Sequence, residues 1–237
     1  NNSLRNYERK KKAFTGIKDL TIITPSKWLA GLVEKSFLGE YPVKVINNGI
    51  NLDVFQYTPN NIKEQYGIDD KFLILGVANI WDGRKGFKYL KELANKVQDD
   101  EIIVLVGLSK KQIKKLPENI IGITQTDNIK ELVEIYSAAD VFVNPTLEDN
   151  FPTTNLEALS CGTPVISFNT GGSIESVDDS TGFVVEQGDV TGLIEKIQEL
   201  KKVDTNYYFN NCVNNAQNFY NKENKFYEYI KLYKRKS

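Results

Sequence analysis

One strand–helix–strand unit occupies residues 138–167, which read AADVFVNPTLEDNFPTTNLEALSCGTPVIS. Asp140–Val143 predicts a strand, Thr154–Ser160 a short helix that ends at Gly162, and Pro164–Ser167 a second strand. Strands that alternate with helices in this way are typical of a βαβ fold, in which the strands are parallel.

The same alternation runs from residue 72 to residue 200. It predicts about six strands, enough for a complete α/β domain of the doubly wound, Rossmann-like type with a parallel sheet. The other predicted strands are Phe72–Val77, Glu101–Val106, Asn119–Ile123 and Phe183–Val185, and the other helices are Phe87–Val97, one capped by Asp127, and Val190–Leu200.

The two ends of the chain do not belong to this alternation. Residues 1–46 supply two strands, Leu20–Thr24 and Val43–Ile46, with a helix between them that begins at Ser26. Two strands cannot bury a core alone, so we expect 1–46 to be the end of another domain. A turn-rich linker opens the central domain, 47–204, and amphipathic helices fill 205–237.

Composition excludes several kinds of chemistry. The 237 residues include no His, which excludes Ser–His–Asp hydrolysis, Cys–His proteolysis and His-ligated metals. Cys161 and Cys212 form no Cys-x-x-Cys pair, which favours a reduced, cytoplasmic setting without disulfides. The chain has no Met and begins Asn1-Asn2, so we expect a processed product or an excised piece.

The net charge of −1 gives no reason to expect a nucleic-acid partner. Basic residues nevertheless crowd both ends, as solvated termini or as a peripheral contact with anionic lipid headgroups. They are Arg5, Arg9, Lys10, Lys11 and Lys12 at one end, and Lys231, Lys234, Arg235 and Lys236 at the other.

Three segments after predicted strands carry candidate chemistry. Asp82–Gly86 places glycines and two cations at the start of a helix, which suits a phosphate group or forms an ordinary turn. Asn144–Glu157 lies where open α/β sheets bind ligands, and its Asp149 and Glu157 could share one cleft or Asp149 could cap a helix. The Gly-rich loop Asn169–Glu175 could donate amides to a ligand or simply turn tightly.

Taken in order, these segments resemble the C-terminal half of glycosyltransferase family 4, whose members are retaining enzymes with the GT-B fold. The matching text is Val45–Asn51 with Phe55, Lys85-Gly86, Ala138–Pro145, Asn150-Phe151, Leu156–Leu159, Cys161–Val165, and Gly171-Gly172 with Glu175. The resemblance covers about residues 20–235 and is most specific over 138–175.

The resemblance implies roles for individual residues. Lys85 corresponds to the lysine that pairs with the donor diphosphate, and Glu157 to the glutamate that binds the ribose hydroxyls. Asp149 takes the place of the catalytic Glu beside the transferred sugar. The backbone amides of Asn150, Phe151, Thr153 and Thr154 would face the sugar and the phosphates.

Three positions depart from the family's pattern. Asp149 is one methylene shorter than the usual Glu, and the neighbouring Glu148 could compensate. Pro152 replaces a Gly and has no N–H to donate. Asn79 or Ile80 stands where an Arg is common, and Arg84 is the candidate substitute.

The resemblance further implies transfer of a sugar from a nucleoside-diphosphate donor to a glycan or lipid-linked acceptor, as in bacterial surface-polysaccharide synthesis. It implies no metal or other cofactor. Residues 1–46 would be the remnant of the acceptor-side domain, 47–204 the donor-binding domain, and 205–237 helices that pack back toward the former. The enzyme would be cytoplasmic or peripheral at the inner face of the membrane. The alternatives are a non-catalytic nucleotide-sugar-binding module and a GT-B sugar-nucleotide epimerase.

Overall fold

A central parallel sheet organises the computed structural model, which describes residues 2–234. Its strands follow one another as β5-β4-β3-β6-β7-β8, and every neighbouring pair is parallel. A smaller sheet pairs β1 with β2. The strands are β1 (Ile22–Thr24), β2 (Val43–Val45), β3 (Phe72–Val77), β4 (Glu101–Val106), β5 (Ile120–Ile123), β6 (Val141–Asn144), β7 (Val165–Phe168) and β8 (Gly182–Val185). The predicted doubly wound α/β class is confirmed.

Helices connect these strands and cover them. They are α1 (Asn2–Phe14), α2 (Lys27–Glu34), α3 (Ile62–Gln65), α4 (Phe87–Ala94), α5 (Lys110–Ile113), α6 (Ile129–Ala138), α7 (Thr153–Ser160), α8 (Val190–Leu200), α9 (Thr205–Phe219) and α10 (Lys222–Lys234). A 3-10 turn spans Ser173–Ser176. The prediction that Asp127 caps α6 is wrong, because the side chain of Asn128 accepts from the Glu131 amide. Helix α1 was not predicted.

Alternating side chains send the two faces of the sheet into two separate cores. Leu73, Val104 and Phe142 pack on one face against α6, α7 and α9. Ile74 and Ile103 point to the other face, where α4 and α8 cover them. This period of two explains why strands that are apolar at every position predict a sheet covered on both sides.

The N-terminal segment forms one βαβ unit beside this domain. Helix α2 connects the parallel strands β1 and β2, and Ser26 caps it as predicted, accepting from the Leu29 amide. No residue of α1 among those described is buried. Helix α10 starts against the linker, where Asn221 pairs with Ile50. The division into 1–46, 47–204 and 205–237 stays a prediction.

Two further findings concern the cysteines and the helices of the described residues. Cys161 and Cys212 are both free and buried, and burial raises the pKa of the Cys161 thiol to about 12. Among residues 2–234, no helix is long and apolar enough to cross a membrane. Arg235 and Lys236 of the predicted basic cluster lie outside the described residues.

The centre of the sheet is its topological switch point, since the connections after β3 and β6 leave on opposite faces. The loops that follow these two strands are fastened together there. The Leu147 amide donates to the Arg84 carbonyl over 2.8 Å. Gly86 has φ +77°, and a Cβ at this residue would lie 2.0 Å from the Pro145 carbonyl oxygen.

We therefore expect Gly86→Ala to destabilise the protein, because it adds both an unfavourable φ and a clash with backbone. The expected loss is about 1–3 kcal/mol of unfolding free energy, measured by urea denaturation. Gly83→Ala is the matched control, since Gly83 has no positive φ and nothing within 4 Å of an added Cβ. Equal stability of the two variants would contradict this account of the contact between the loops.

Candidate functional site

The structure brings two predicted site residues together at the switch point. Lys85 follows β3, Asp149 follows β6, and the Lys85 Nζ donates to Asp149 Oδ2 over 2.7 Å. Both side chains remain partly open to solvent, at 31% and 20% exposure. The Lys85 amide also donates to the Asp82 carboxylate over 3.0 Å, which fixes the turn before α4. The predicted phosphate-binding cation and the predicted catalytic carboxylate therefore form one ion pair.

The Gly-rich loop Asn169–Glu175, which follows β7, contacts the backbone of Asp149. The Gly172 amide donates to the Asp149 carbonyl over 3.0 Å. A Cβ at Gly171, which has φ +54°, would lie 2.2 Å from the same carbonyl oxygen. Thr170 Oγ1 donates to the Thr146 carbonyl over 2.9 Å. The Gly172 amide is thus used inside the protein, which favours the tight-turn interpretation of this loop at that residue.

Two helices begin beside the ion pair without a side-chain cap. Pro152 is the N-cap residue of α7 and Gly86 that of α4, and neither provides a side-chain acceptor. The first amides of a helix have no partner within it, and the helix dipole makes them favourable for anions. The amides of Thr153 and Thr154 at the start of α7 are such groups. The site therefore combines a lysine with two open helix N-termini.

Glu157 lies one turn further along α7 and is held by Tyr136. The Tyr136 hydroxyl donates to Glu157 Oε2 over 2.8 Å. Burial raises the pKa of Glu157, while this hydrogen bond acts in the opposite direction. Burial, followed by the charge of Glu157, raises the pKa of Tyr136 well above its usual value, so the hydroxyl stays a donor.

Asp149 and Glu157 do not contact each other as a pair. Asp149 bonds to Lys85, whereas Glu157 bonds to Tyr136. No hydrogen bond joins the two carboxylates within the described part of the chain. The prediction that they serve one cleft remains a prediction, and their different partners fit two separate roles.

The other predicted residues differ in what they present to a ligand. The Arg84 side chain, Asn150 and Thr153 are exposed and Thr154 is half-buried. Phe151 is 3% exposed, and its ring packs 5.8 Å from that of Tyr220, so its side chain belongs to the core. Only the backbone of Phe151 can serve a ligand, as the resemblance implied.

Sequence reasoning missed several groups around the site. The Tyr136 hydroxyl was hidden because its position in α6 fits a core residue, and nothing local marks the hydroxyl as a partner of Glu157. Asn48 Nδ2 donates to the Phe151 carbonyl over 3.0 Å, a contact between residues 103 apart. Beside these groups, a cleft of about 660 Å³ lies between Asn47–Gly49, Thr153 and one side of α10 from Lys222 to Tyr233.

Comparisons with known proteins identify the family of the chain and confirm its fold. In α/β domains of this type, nucleotides and other phosphate compounds commonly bind at the switch point and at helix N-termini. The sequence profile described as "Glycosyl transferases group 1" matches residues 71–202, more than half of the chain. The chain belongs to that family, as the resemblance predicted.

Two curated relatives illustrate the match. The chain is 30% identical over 178 residues to the capsular polysaccharide biosynthesis glycosyltransferase CapM of Staphylococcus aureus, covering 65% of this chain and 43% of that protein. It is 29% identical over 163 residues to the processive diacylglycerol alpha-glucosyltransferase of Acholeplasma laidlawii, covering 64% and 48%. The chain thus matches less than half of the length of each of these relatives.

Solved structures confirm the fold. Sucrose-phosphate synthase from Thermosynechococcus elongatus superposes with a TM-score of 0.83 at 23% identity, over 98% of this chain and 61% of that one. HepE from Anabaena, solved in complex with UDP, gives 0.85 at 17% identity, over 98% and 68%. At such low sequence identities the superpositions show the fold alone, and the predicted GT-B fold is confirmed.

The raised pKa of Glu157 predicts a pH dependence of stability. Since the folded state binds this proton more tightly than the unfolded state, Glu157 lowers stability at neutral pH. That cost disappears as the pH falls through the folded pKa toward the ordinary value of 4.5. We expect Glu157→Gln, compared with wild type in urea unfolding, to be relatively more stable at pH 7 than at pH 4.5.

The matched control is Glu118→Gln, at an exposed position. Its difference from wild type is expected to stay constant between the two pH values. If the stability difference between Glu157→Gln and wild type also stays constant, burial of Glu157 does not raise its pKa in the folded protein.

Proposed function

We propose that this chain is the donor-binding part of a retaining glycosyltransferase that uses a nucleoside-diphosphate sugar. The observation that carries the proposal is the Lys85–Asp149 ion pair, 2.7 Å long, between the open N-termini of α4 and α7. In this proposal the Lys85 cation binds the leaving diphosphate, and the Asp149 carboxylate lies beside the sugar that is transferred.

The diphosphate would take Lys85 from Asp149. Two phosphate groups carry more negative charge than one carboxylate, and the first-turn amides of α7 can add hydrogen bonds that Asp149 does not use. The bond to Asp149 already holds the lysine in place, so little side-chain ordering remains to be done on binding. Arg84, exposed one residue away, can add a second cation.

The nucleoside end would be recognised by Glu157. Its Oε2 accepts from the Tyr136 hydroxyl and the Thr153 side chain also hydrogen-bonds this carboxylate, so ribose hydroxyls would use its remaining acceptor capacity. Tyr136 is fully buried, so it fixes the carboxylate from the protein side, while Glu157 itself is half-buried. Desolvation makes such an acceptor unfavourable when unpaired and rewards a ligand that donates to it.

The transfer step follows from these charges. The bond between the anomeric carbon and the diphosphate oxygen breaks, and its electron pair goes to that oxygen, beside Lys85 and α7. The acceptor hydroxyl attacks the same face of the sugar and gives its proton to the departing phosphate oxygen. The Asp149 carboxylate stabilises the positive charge that develops on the sugar. No protein base and no metal ion enters this scheme.

The relatives narrow the choice of ligands to test. HepE has been solved with UDP and with UDP-glucose, so UDP is the first nucleotide to try. CapM acts in capsular polysaccharide biosynthesis and the Acholeplasma enzyme on diacylglycerol, which supports a glycan or lipid-linked acceptor. We place the enzyme in the cytoplasm, with peripheral membrane contact through the exposed basic residues of α1, which are Arg5, Arg9, Lys10, Lys11 and Lys12.

In one alternative function, the protein binds a nucleotide-sugar but does not transfer the sugar. Asp149 is one methylene shorter than the usual Glu and is bonded to Lys85, and Pro152 lacks an amide hydrogen. A non-catalytic nucleotide-sugar-binding module would show both features. Release of UDP from UDP-glucose by the full-length protein with an acceptor extract would exclude it.

Removing the cation is expected to weaken nucleotide binding strongly. Lys85→Ala removes a hydrogen bond to a charged group and leaves Asp149 facing the phosphates, so the loss in UDP affinity should reach about 10- to 100-fold. Isothermal titration calorimetry measures it. Lys88→Ala is the control, because Lys88 is exposed on the same helix and stacks on Tyr89. Equal affinities for the two variants would refute the role of Lys85.

Removing the carboxylate is expected to have opposite effects on binding and on transfer. Asp149→Asn frees Lys85 and removes a negative charge, so UDP should bind several-fold tighter. Turnover by the full-length enzyme should fall at least about tenfold, because the sugar loses its counter-charge. The combination of Lys85→Ala with Asp149→Asn should be non-additive in UDP affinity, since the two side chains are in contact. Additive effects would show that the ion pair does not govern binding.

A further inference from the structure

Glu175 makes a contact that neither the resemblance nor the proposed transfer step uses. Its Oε2 accepts from the Lys27 amide and its Oε1 from the Trp28 amide, each over 2.8 Å. These are the first two amides of α2, which lack partners within the helix. Both carboxylate oxygens are therefore engaged at the positive end of a helix dipole, in a contact between residues almost 150 apart.

This contact changes which helix can bind an anion. The N-terminus of α2 is already filled by Glu175 and by Ser26, whose Oγ accepts from the Leu29 amide over 3.1 Å. The N-terminus of α7 has no side-chain cap. An anionic ligand is thus directed to α7, while α2 is held by the protein's own carboxylate.

Gly172 lets α2 approach the candidate site closely. A Cβ at this residue would lie 1.8 Å from the Asn150 carbonyl oxygen and 2.7 Å from the Ser26 Cβ. The backbone of Gly172 therefore lies directly between Asn150, in the loop that follows β6, and Ser26 at the start of α2. Ser26 is completely buried there, although it belongs to the small βαβ unit.

Hydrogen bonds connect the backbone of Glu175, through Gly172, to the backbone of the candidate catalytic residue Asp149. The Glu175 amide donates to the Gly172 carbonyl over 3.3 Å, and the Gly172 amide donates to the Asp149 carbonyl over 3.0 Å. A shift of α2 that moves the Glu175 backbone can therefore reach the backbone of Asp149 through these two bonds.

We propose that Glu175 is a positioning residue that clamps the βαβ unit of residues 22–45 on the site and, through Gly172, sets the backbone of Asp149. Glu175 touches no substrate in this proposal. Its carboxylate holds the N-terminus of α2 next to the site. This contact keeps the Asp149–Asn150 loop at a fixed distance from Lys85. This proposal rests on the proposed function only in the catalytic role that it gives to Asp149.

Hydrogen exchange of backbone amides in the 237-residue chain tests the clamp residue by residue. Glu175→Gln keeps the size of the side chain and removes its charge, so the amides of Lys27 and Trp28 should exchange about 10- to 100-fold faster. The Gly172 amide should exchange at least about threefold faster as well. The Leu29 amide, which Ser26 caps, should change less than about twofold, and this distinguishes loss of the clamp from loosening of the whole helix.

Two further variants sharpen the test. Glu186→Gln is the matched control, because Glu186 is exposed and bonded to Asn169 over 3.2 Å at the start of the same loop. It should leave all four amides unchanged. Gly172→Ala adds a methyl group between Asn150 and Ser26 and should accelerate exchange at Lys27 and Trp28 with the carboxylate still present.

The outcomes separate the two proposals. Unchanged exchange at Lys27 and Trp28 in Glu175→Gln would overturn the clamp. Fast exchange there with an unchanged Gly172 amide would overturn the link to Asp149. UDP affinity, measured in parallel by calorimetry, should stay within about twofold of wild type, because Lys85 and Glu157 are untouched. Absence of UDP binding by wild type would count against the proposed function and would leave the exchange result valid.

Discussion

The close approach of two loops at Gly86 is the constraint on which the site depends. The Pro145 carbonyl oxygen lies where a side chain at residue 86 would begin. Only a glycine in the left-handed region allows the β3–α4 loop to pack this tightly on the β6–α7 loop. That packing brings Lys85 to 2.7 Å from Asp149, although 64 residues separate them in the chain.

The parallel sheet supplies the rest of this geometry. Because β3 and β6 are neighbours whose connections leave in opposite directions, their carboxyl ends enclose a crevice. The helices that start there, α4 and α7, turn their positive ends into it. Lys85, the two helix N-termini and Asp149 meet in this crevice, and we propose that an incoming diphosphate replaces the carboxylate as the partner of Lys85.

Much of this arrangement could be predicted from the sequence, for physical reasons. The strand Glu101–Val106 is buried at every position and apolar from Ile102 onward because both faces of the sheet are covered, and its bounds were predicted residue for residue. Lys85 and Asp149 were found because each follows a strand, where ligands bind in such folds. The cap of α6 was missed by one residue, since Asp127 and Asn128 are equally good caps on composition alone.

Contacts between distant segments could not be predicted in this way. Tyr136 reads as a core residue, and only the packing of α6 on α7 shows that its hydroxyl meets Glu157. Glu175 lies in a stretch whose glycines already explained a turn, so nothing local indicated that it caps α2. Helix α1 was missed because charged residues dominate it and none of its residues is buried, which leaves no apolar periodicity to read.

We propose that the diphosphate of a nucleotide takes Lys85 from Asp149, and a crystal structure of this chain with UDP tests this exchange of partners. We expect a β-phosphate oxygen within about 3.2 Å of the Lys85 Nζ and of a first-turn amide of α7, with the Lys85–Asp149 bond broken. UDP bound at another edge of the sheet, or bound here with Lys85 still on Asp149, would contradict it.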